Sequence, residues 1–289
     1  MKKKSLAYGT WPSTISADMV ARSGTGSASI PREVQADESG VYWVELRPEE
    51  AGRFVIQRLD PDGLVGTCTP EGFSARTRVH EYGGGAFLLW RGSLFFSNET
   101  DQRLYRQDEG GTPRPITPKP EPGEQLRYAD GCMAPDGQSL IYVCEHHQRT
   151  GDVQNFLVSL PSDGSADPAV LHAGHDFYAS PRISPDGQQL LWLTWDHPCM
   201  PWDGTDLWLA DWDHSGSLAA PNHLAGGPSE SIFQPEWGPL GGIFFVSDRS
   251  GWWNIYQQDN DGSKALAEAA LEFGQPLWML GYKTYALLS

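Results

Sequence analysis

The sequence has no G-x-S-x-G segment, no C-x-x-C pair and no apolar run long enough to cross a bilayer. Each absence removes a class of function. Without G-x-S-x-G there is no strained strand-to-helix turn to present a nucleophilic serine, so no catalytic residue of an α/β-hydrolase is expected. Gly24-Thr25-Gly26-Ser27 is the nearest glycine and serine cluster, and no strand pattern precedes it. The four cysteines, Cys68, Cys132, Cys144 and Cys199, lack metal-ligand spacing and read as reduced core thiols of a cytoplasmic protein. The basic start Met1-Lys2-Lys3-Lys4 leads into Ser5-Leu6-Ala7-Tyr8-Gly9-Thr10-Trp11-Pro12, which lacks the apolar stretch of a signal peptide. Cations are scarce too: 21 Lys and Arg face 37 Asp and Glu, a net charge of −16. Such a surface repels phosphate backbones and anionic lipid, which argues against nucleic acid and membrane as partners.

What the chain has in quantity is turn and aromatic residues: 32 glycines, 22 prolines and 12 tryptophans in 289 residues. They fall into an internal repeat of roughly 40–55 residues, the spacing of propeller blades. Ala134-Pro135-Asp136-Gly137 and Ser184-Pro185-Asp186-Gly187 open the clearest copies. In P-D-G, proline presets φ, aspartate caps the turn and glycine takes positive φ. Apolar strands follow, Ser139–Val143 and Gln189–Leu193, with partners Asn155–Leu160 and Asp206–Asp211. Weaker copies centre on Val41–Val44, Ser93–Phe96 and Ile243–Val246. A strand pair of this kind cannot bury both faces alone, and stacking blades around an axis solves that problem. The expectation is an all-β propeller of four-stranded blades over residues 37–289, preceded by an N-terminal segment over 1–36. Five units are complete, and Leu277–Gly281 with Thr284–Ser289 read as the start of a sixth, so the propeller is expected to be truncated within a blade.

Two helices are expected: a short one after Ser16, and one over Leu266, Ala269, Ala270 and Phe273, spaced i, i+3, i+4, i+7, with Gly274 as C-cap. No metal or cofactor is expected. His172-Ala173-Gly174-His175 reads as a loop pair without a third ligand, and Asp259-Asn260-Asp261-Gly262 as a hairpin turn rather than a calcium loop. Tyr82-Gly83-Gly84-Gly85 precedes a strand pattern, which disqualifies it as a phosphate cradle.

Three polar and aromatic clusters stand outside the repeat: Arg76–Tyr82, Thr194–Gly204 and Ser247–Trp253. Tryptophans there can fill gaps between blades, and Asp248 with Arg249 can form a turn salt bridge. The 194–204 connection, however, is far longer than a hairpin needs, as loops lining a binding mouth are.

At these clusters the sequence resembles the N-terminal propeller of the prolyl oligopeptidase family of serine peptidases, in its acylaminoacyl-peptidase or dipeptidyl-aminopeptidase-like branch. Tyr8–Ser13, Arg78-Val79-His80-Glu81-Tyr82-Gly83-Gly84-Gly85, Trp195-Asp196-His197-Pro198 with Met200-Pro201-Trp202-Asp203-Gly204, and Val246–Asn254 carry the resemblance. It implies a non-catalytic domain that admits short peptides and positions them for an α/β-hydrolase domain encoded downstream. By that resemblance the substrate-gating candidates are Arg78, His80, Glu81 and Tyr82; Trp195, Asp196, His197, Trp202 and Asp203; and Asp248, Arg249 and Trp252. Glu145 joins them, where the family often has an acidic residue near the inner rim. The alternative is a stand-alone TolB-like propeller that binds peptide or protein partners.

Overall fold

The computed structural model describes residues 31–213, 217–259 and 262–287. Among the described residues, twenty strands form five four-stranded antiparallel sheets, each a simple meander. The first blade holds β1 (Arg32–Asp37), β2 (Gly40–Arg47), β3 (Arg53–Leu59) and β4 (Val65–Thr67). The second holds β5 (Phe87–Trp90), β6 (Ser93–Ser97), β7 (Leu104–Gln107) and β8 (Arg114–Pro115). The third is β9 (Gln125–Met133), β10 (Ser139–His147), β11 (Val153–Pro161) and β12 (Ala169–Ala173). The fourth is β13 (Phe177–Ile183), β14 (Gln189–Trp195), β15 (Thr205–Asp211) and β16 (Asn222–Gly227). The fifth is β17 (Ile232–Trp237), β18 (Ile243–Ser247), β19 (Asn254–Asp259) and β20 (Gly262–Ala265). Among the described residues one 3-10 turn, Pro48–Glu50, is the only helical element, so no helix is long and apolar enough to cross a membrane.

Burial explains which strands the repeat exposes. The second strands of the later blades are covered on both faces, whereas β2 of the first blade is only half-buried; β10 and β14 are buried almost end to end, and β14 contributes Trp192 to the core. The fourth strands lie at the rim, and β4 and β8 are exposed throughout. Both P-D-G turns close as expected, with Gly137 N–H donating to Ala134 O (2.8 Å) and Gly187 N–H to Ser184 O (2.9 Å), each glycine at positive φ.

The first strands touch in succession around the axis, and side chains of the first, third and fifth blades hook forward. Glu33, Asp130, Ser180 and Gln234 sit at bulges in β1, β9, β13 and β17 with φ between 47° and 53°. The side chains of Glu33, Asp130 and Gln234 reach forward. Glu33 Oε2 accepts from Ala86 N (2.8 Å), Asp130 Oδ2 from Ser180 N (2.8 Å) and Gln234 Oε1 from Thr284 N (2.6 Å). These steps span 53, 50 and 50 residues. Thr284 thus stands to the fifth blade as Ala86 and Ser180 stand to the first and third, where the next blade's first strand belongs.

Four expectations need correction or placement. The propeller begins by Arg32, not 37, because β1 pairs with β2. The helix after Ser16 lies outside the described residues. The helix over 266–273 does not form: Leu266 N, Ala269 N and Phe273 N donate instead to Ile255 O, Asn254 Oδ1 and Trp253 O, so the fifth blade takes the amides a helix would use. Residues 277–287 form no ladder; their one bridge joins Leu280 to Gly84.

Candidate functional site

In each meander the turn after the first strand and the turn after the third lie on one face of the propeller. The connection after the second strand and the link to the next blade lie on the other. Both P-D-G turns therefore occupy one face. The link over 68–86, the 196–204 connection and the 248–253 connection all occupy the opposite face.

On that face the third blade anchors a charge cluster. Glu145 near the end of β10 lies opposite Arg127 of β9 in the ladder. Arg127 Nη1 donates to Glu145 Oε1 (2.9 Å), Glu81 Oε1 (2.6 Å) and Arg78 O (2.9 Å). His80 N–H donates to Glu145 Oε2 (2.8 Å), so one buried carboxylate and one buried guanidinium pin the incoming link to the third blade. His147 Nε2 lies 2.5 Å from Glu145 Oε1. The chain turns through His80 and Glu81 at positive φ, which leaves the Glu81 side chain 72 % exposed while that of Glu145 is 5 % exposed. The hydrogen bond from Arg127 holds the Glu81 carboxyl below the usual carboxylate range. Glu81 and Glu145 thus share the Arg127 guanidinium, with Arg78 and His147 close by, and Glu81 is the carboxylate of the pair that faces solvent.

Beneath it is an aromatic floor. Phe177 and Trp195 stack at 5.2 Å, and His80 meets both edge-on at 5.1 and 5.5 Å. Burial pushes the His80 imidazole down to about 4, so it is neutral at physiological pH. His197 packs edge-on against Phe177.

The donor atoms of Glu81, Glu145 and His147 lie within 4.8 Å of one another. Arg127 already fills the cationic place among them, and a divalent ion would sit against its guanidinium. The donor set therefore does not suit a metal. His172 is on β12 rather than in a loop, with Nδ1 2.9 Å from Tyr178 Oη; His175 Nδ1 is 2.8 Å from Asp196 Oδ2.

The remaining candidates divide between structure and surface. Asp196 accepts from Asp176 N (2.6 Å) and Asp203 from Met200 N (2.9 Å), so both tie down turns. Asp248 and Arg249 do not pair with each other. Asp248 accepts from Ser231 N (2.8 Å), while Arg249 bonds Glu230 and lies over Tyr256. Adjacent residues leaving a strand point apart, which is why proximity in sequence misled. Arg78 and Trp252 are exposed. Trp202 packs on Trp278, which in turn meets Tyr82. Sequence reasoning missed Arg127, His147 and Trp278. An arginine placed two residues into a strand opposite an acidic one would have been the signal for the first.

No family model and no curated protein matches the chain. Solved structures do. A puromycin-hydrolyzing peptidase of Mycobacterium tuberculosis is 41 % identical with a TM-score of 0.87, over 99 % of this chain and 45 % of its own. A puromycin hydrolase is 38 % identical with a TM-score of 0.85, over 96 % of this chain and 44 % of its own. The chain is an N-terminal propeller of the prolyl oligopeptidase family. This propeller spans less than half the length of the peptidases it matches. A calcium-binding regucalcin from Agrobacterium tumefaciens, 16 % identical with a TM-score of 0.55, shares the propeller fold alone; it covers 88 % of this chain and 78 % of its own.

Proposed function

We propose that this propeller admits peptides and positions them for a serine peptidase centre housed in an α/β-hydrolase domain outside the 289 residues. It holds the peptide's free α-amino group at Glu81, beside Glu145. The observation that carries this reading is the exposed Glu81 carboxylate, held beside the buried Arg127–Glu145 pair on the face where the long connections gather. An ammonium group there makes a charge-assisted hydrogen bond to a carboxylate that faces solvent, and the net charge of −16 favours its approach. The chain's own residues bind and orient; none of them performs a bond-breaking step.

Calorimetric titration of the 289-residue chain with Ala-Ala-Ala and its N-acetyl form tests the amine site. A charge-assisted hydrogen bond is worth enough that acetylation should weaken binding by about tenfold or more. Glu81→Gln should weaken the free tripeptide similarly and leave the acetylated one unchanged. Equal affinity for both forms would overturn the amine site. A serine-directed fluorophosphonate should leave the chain unlabelled, and stoichiometric labelling would show that catalysis resides here.

A further inference from the structure

We infer that Tyr82, Trp202 and Trp278 form a preformed subsite for an aromatic side chain within the first two residues of a peptide. The inference rests on the amine site at Glu81 for its polarity, and on a separate set of side chains for its substance.

Three distant segments bring these rings together: the link into the second blade, the long connection of the fourth, and the stretch after the fifth. Trp202 and Trp278 lie 4.4 Å apart between centroids, inclined at 40°, and Tyr82 meets Trp278 at 5.5 Å near edge-on. Tyr82 is 60 % exposed and Trp278 48 % exposed, so two large rings face solvent side by side. Water gains nothing from such a surface, whereas a third ring can stack on it or meet its edges.

The platform is fixed in advance. Leu280 N–H donates to Gly83 O (2.9 Å), which locks the Trp278 segment to the Tyr82 link. Trp202 rides on a turn closed by Asp203 N–H to Met200 O (2.9 Å) and held to the next blade by Ser231 Oγ–H donating to Pro201 O (2.8 Å). Ordering cost on binding is correspondingly small. The occupant follows from adjacency. Tyr82 is the residue after Glu81, and consecutive Cα atoms lie about 3.8 Å apart, one residue of extended peptide. Glu81 bonds Arg127 and Tyr82 packs on Trp278, so carboxylate and rings flank one point of the chain, within reach of the first two side chains of a peptide held there by its amine.

The experiment titrates the chain with Ala-Ala-Ala, Phe-Ala-Ala, Ala-Phe-Ala and Ala-Ala-Phe. Phenylalanine in one of the first two positions should tighten binding by roughly tenfold, and in the third position by much less. Tyr82→Ala and Trp278→Ala should erase the difference between Ala-Ala-Ala and the tighter phenylalanine peptide, and Trp278→Phe should retain most of it. Tyr82 is exposed enough for its variant to fold, and an unchanged circular dichroism melt verifies this. Equal binding of Ala-Ala-Ala, Phe-Ala-Ala and Ala-Phe-Ala overturns the subsite, as does a full gain in Tyr82→Ala. The two readings fail separately. An acetylation effect without aromatic preference removes the subsite alone, and aromatic preference without an acetylation effect removes the amine site alone. Absence of measurable binding overturns both.

Discussion

Glu145 and Glu81 share one arginine and should answer mutation differently. Glu145 and Arg127 are both buried, so Glu145→Gln leaves the guanidinium with the exposed Glu81 as its remaining carboxylate partner, beside Gln125 and Arg78 O. Glutamine can still accept from His80 N, and the loss is that of a buried charge's partner, about 3 kcal/mol. Glu81→Gln removes an exposed partner and should cost less than about 1 kcal/mol. Urea unfolding of the two variants measures this contrast; equal losses would mean that Arg127 is not organised around Glu145. The structure places Glu145 near the end of the second strand of the third blade, and it was singled out in the sequence only through the family resemblance. Its partner was not, because Arg127 meets it through strand pairing across eighteen positions, and register is invisible until β9 is recognised as a strand.

At the scale of elements, legibility follows burial. Strands such as β10 and β14 announce themselves because blades cover both their faces, whereas first strands such as β9, β13 and β17 carry Arg127, Asp130, Ser180-Pro181 and Gln234-Pro235. They line the axis with polar groups and bulge, so they lack an apolar signature. The Leu266–Phe273 spacing had a helix's period, yet Asn254 and the edge of the fifth blade captured its backbone. The forward hooks give this scale its own tests. Gln234→Ala removes the acceptor for Thr284 N and should speed amide exchange over 282–287 while sparing the fourth blade. Gly84→Ala should act on the same segment from the other side. Gly84 has φ +88°, and an added Cβ would lie 2.3 Å from Leu280 O. Detachment of 277–287, read as new proteolytic cleavage there, is the expected result, with a stability loss of about 2 kcal/mol or more. Unchanged protection in both variants would show that the segment is held by other means.

Across the whole molecule, two buried titrations oppose each other. Glu33 lines an axial cavity of about 770 Å³ together with Asp130, Arg182, Glu236 and Lys283. Arg182 pairs with Asp130 and Glu236, and Lys283 with Glu236, which leaves Glu33 held by backbone donors. Burial raises it from 4.5 to about 7. Its folded form therefore binds a proton more tightly than the unfolded chain, and the stability this confers is lost as pH rises from about 4.5 through about 7. His80, on the site face, is displaced the other way, from 6.5 to about 4, and its contribution is lost as pH falls through that window. Each shift corresponds to about 3 kcal/mol, so between roughly pH 6.5 and 4.5 the two slopes should nearly cancel. Single variants separate them. Glu33→Gln keeps an acceptor for Ala86 N and should lose stability on acidification faster than the parent. His80→Phe keeps the ring among Phe177 and Trp195 and should gain stability over the same range. Thermal melts of the three proteins from pH 7 to 4.5 measure the difference. Parallel curves would mean that neither group is as dry as the fold makes it, and that water reaches both the axis and the floor of the charge cluster.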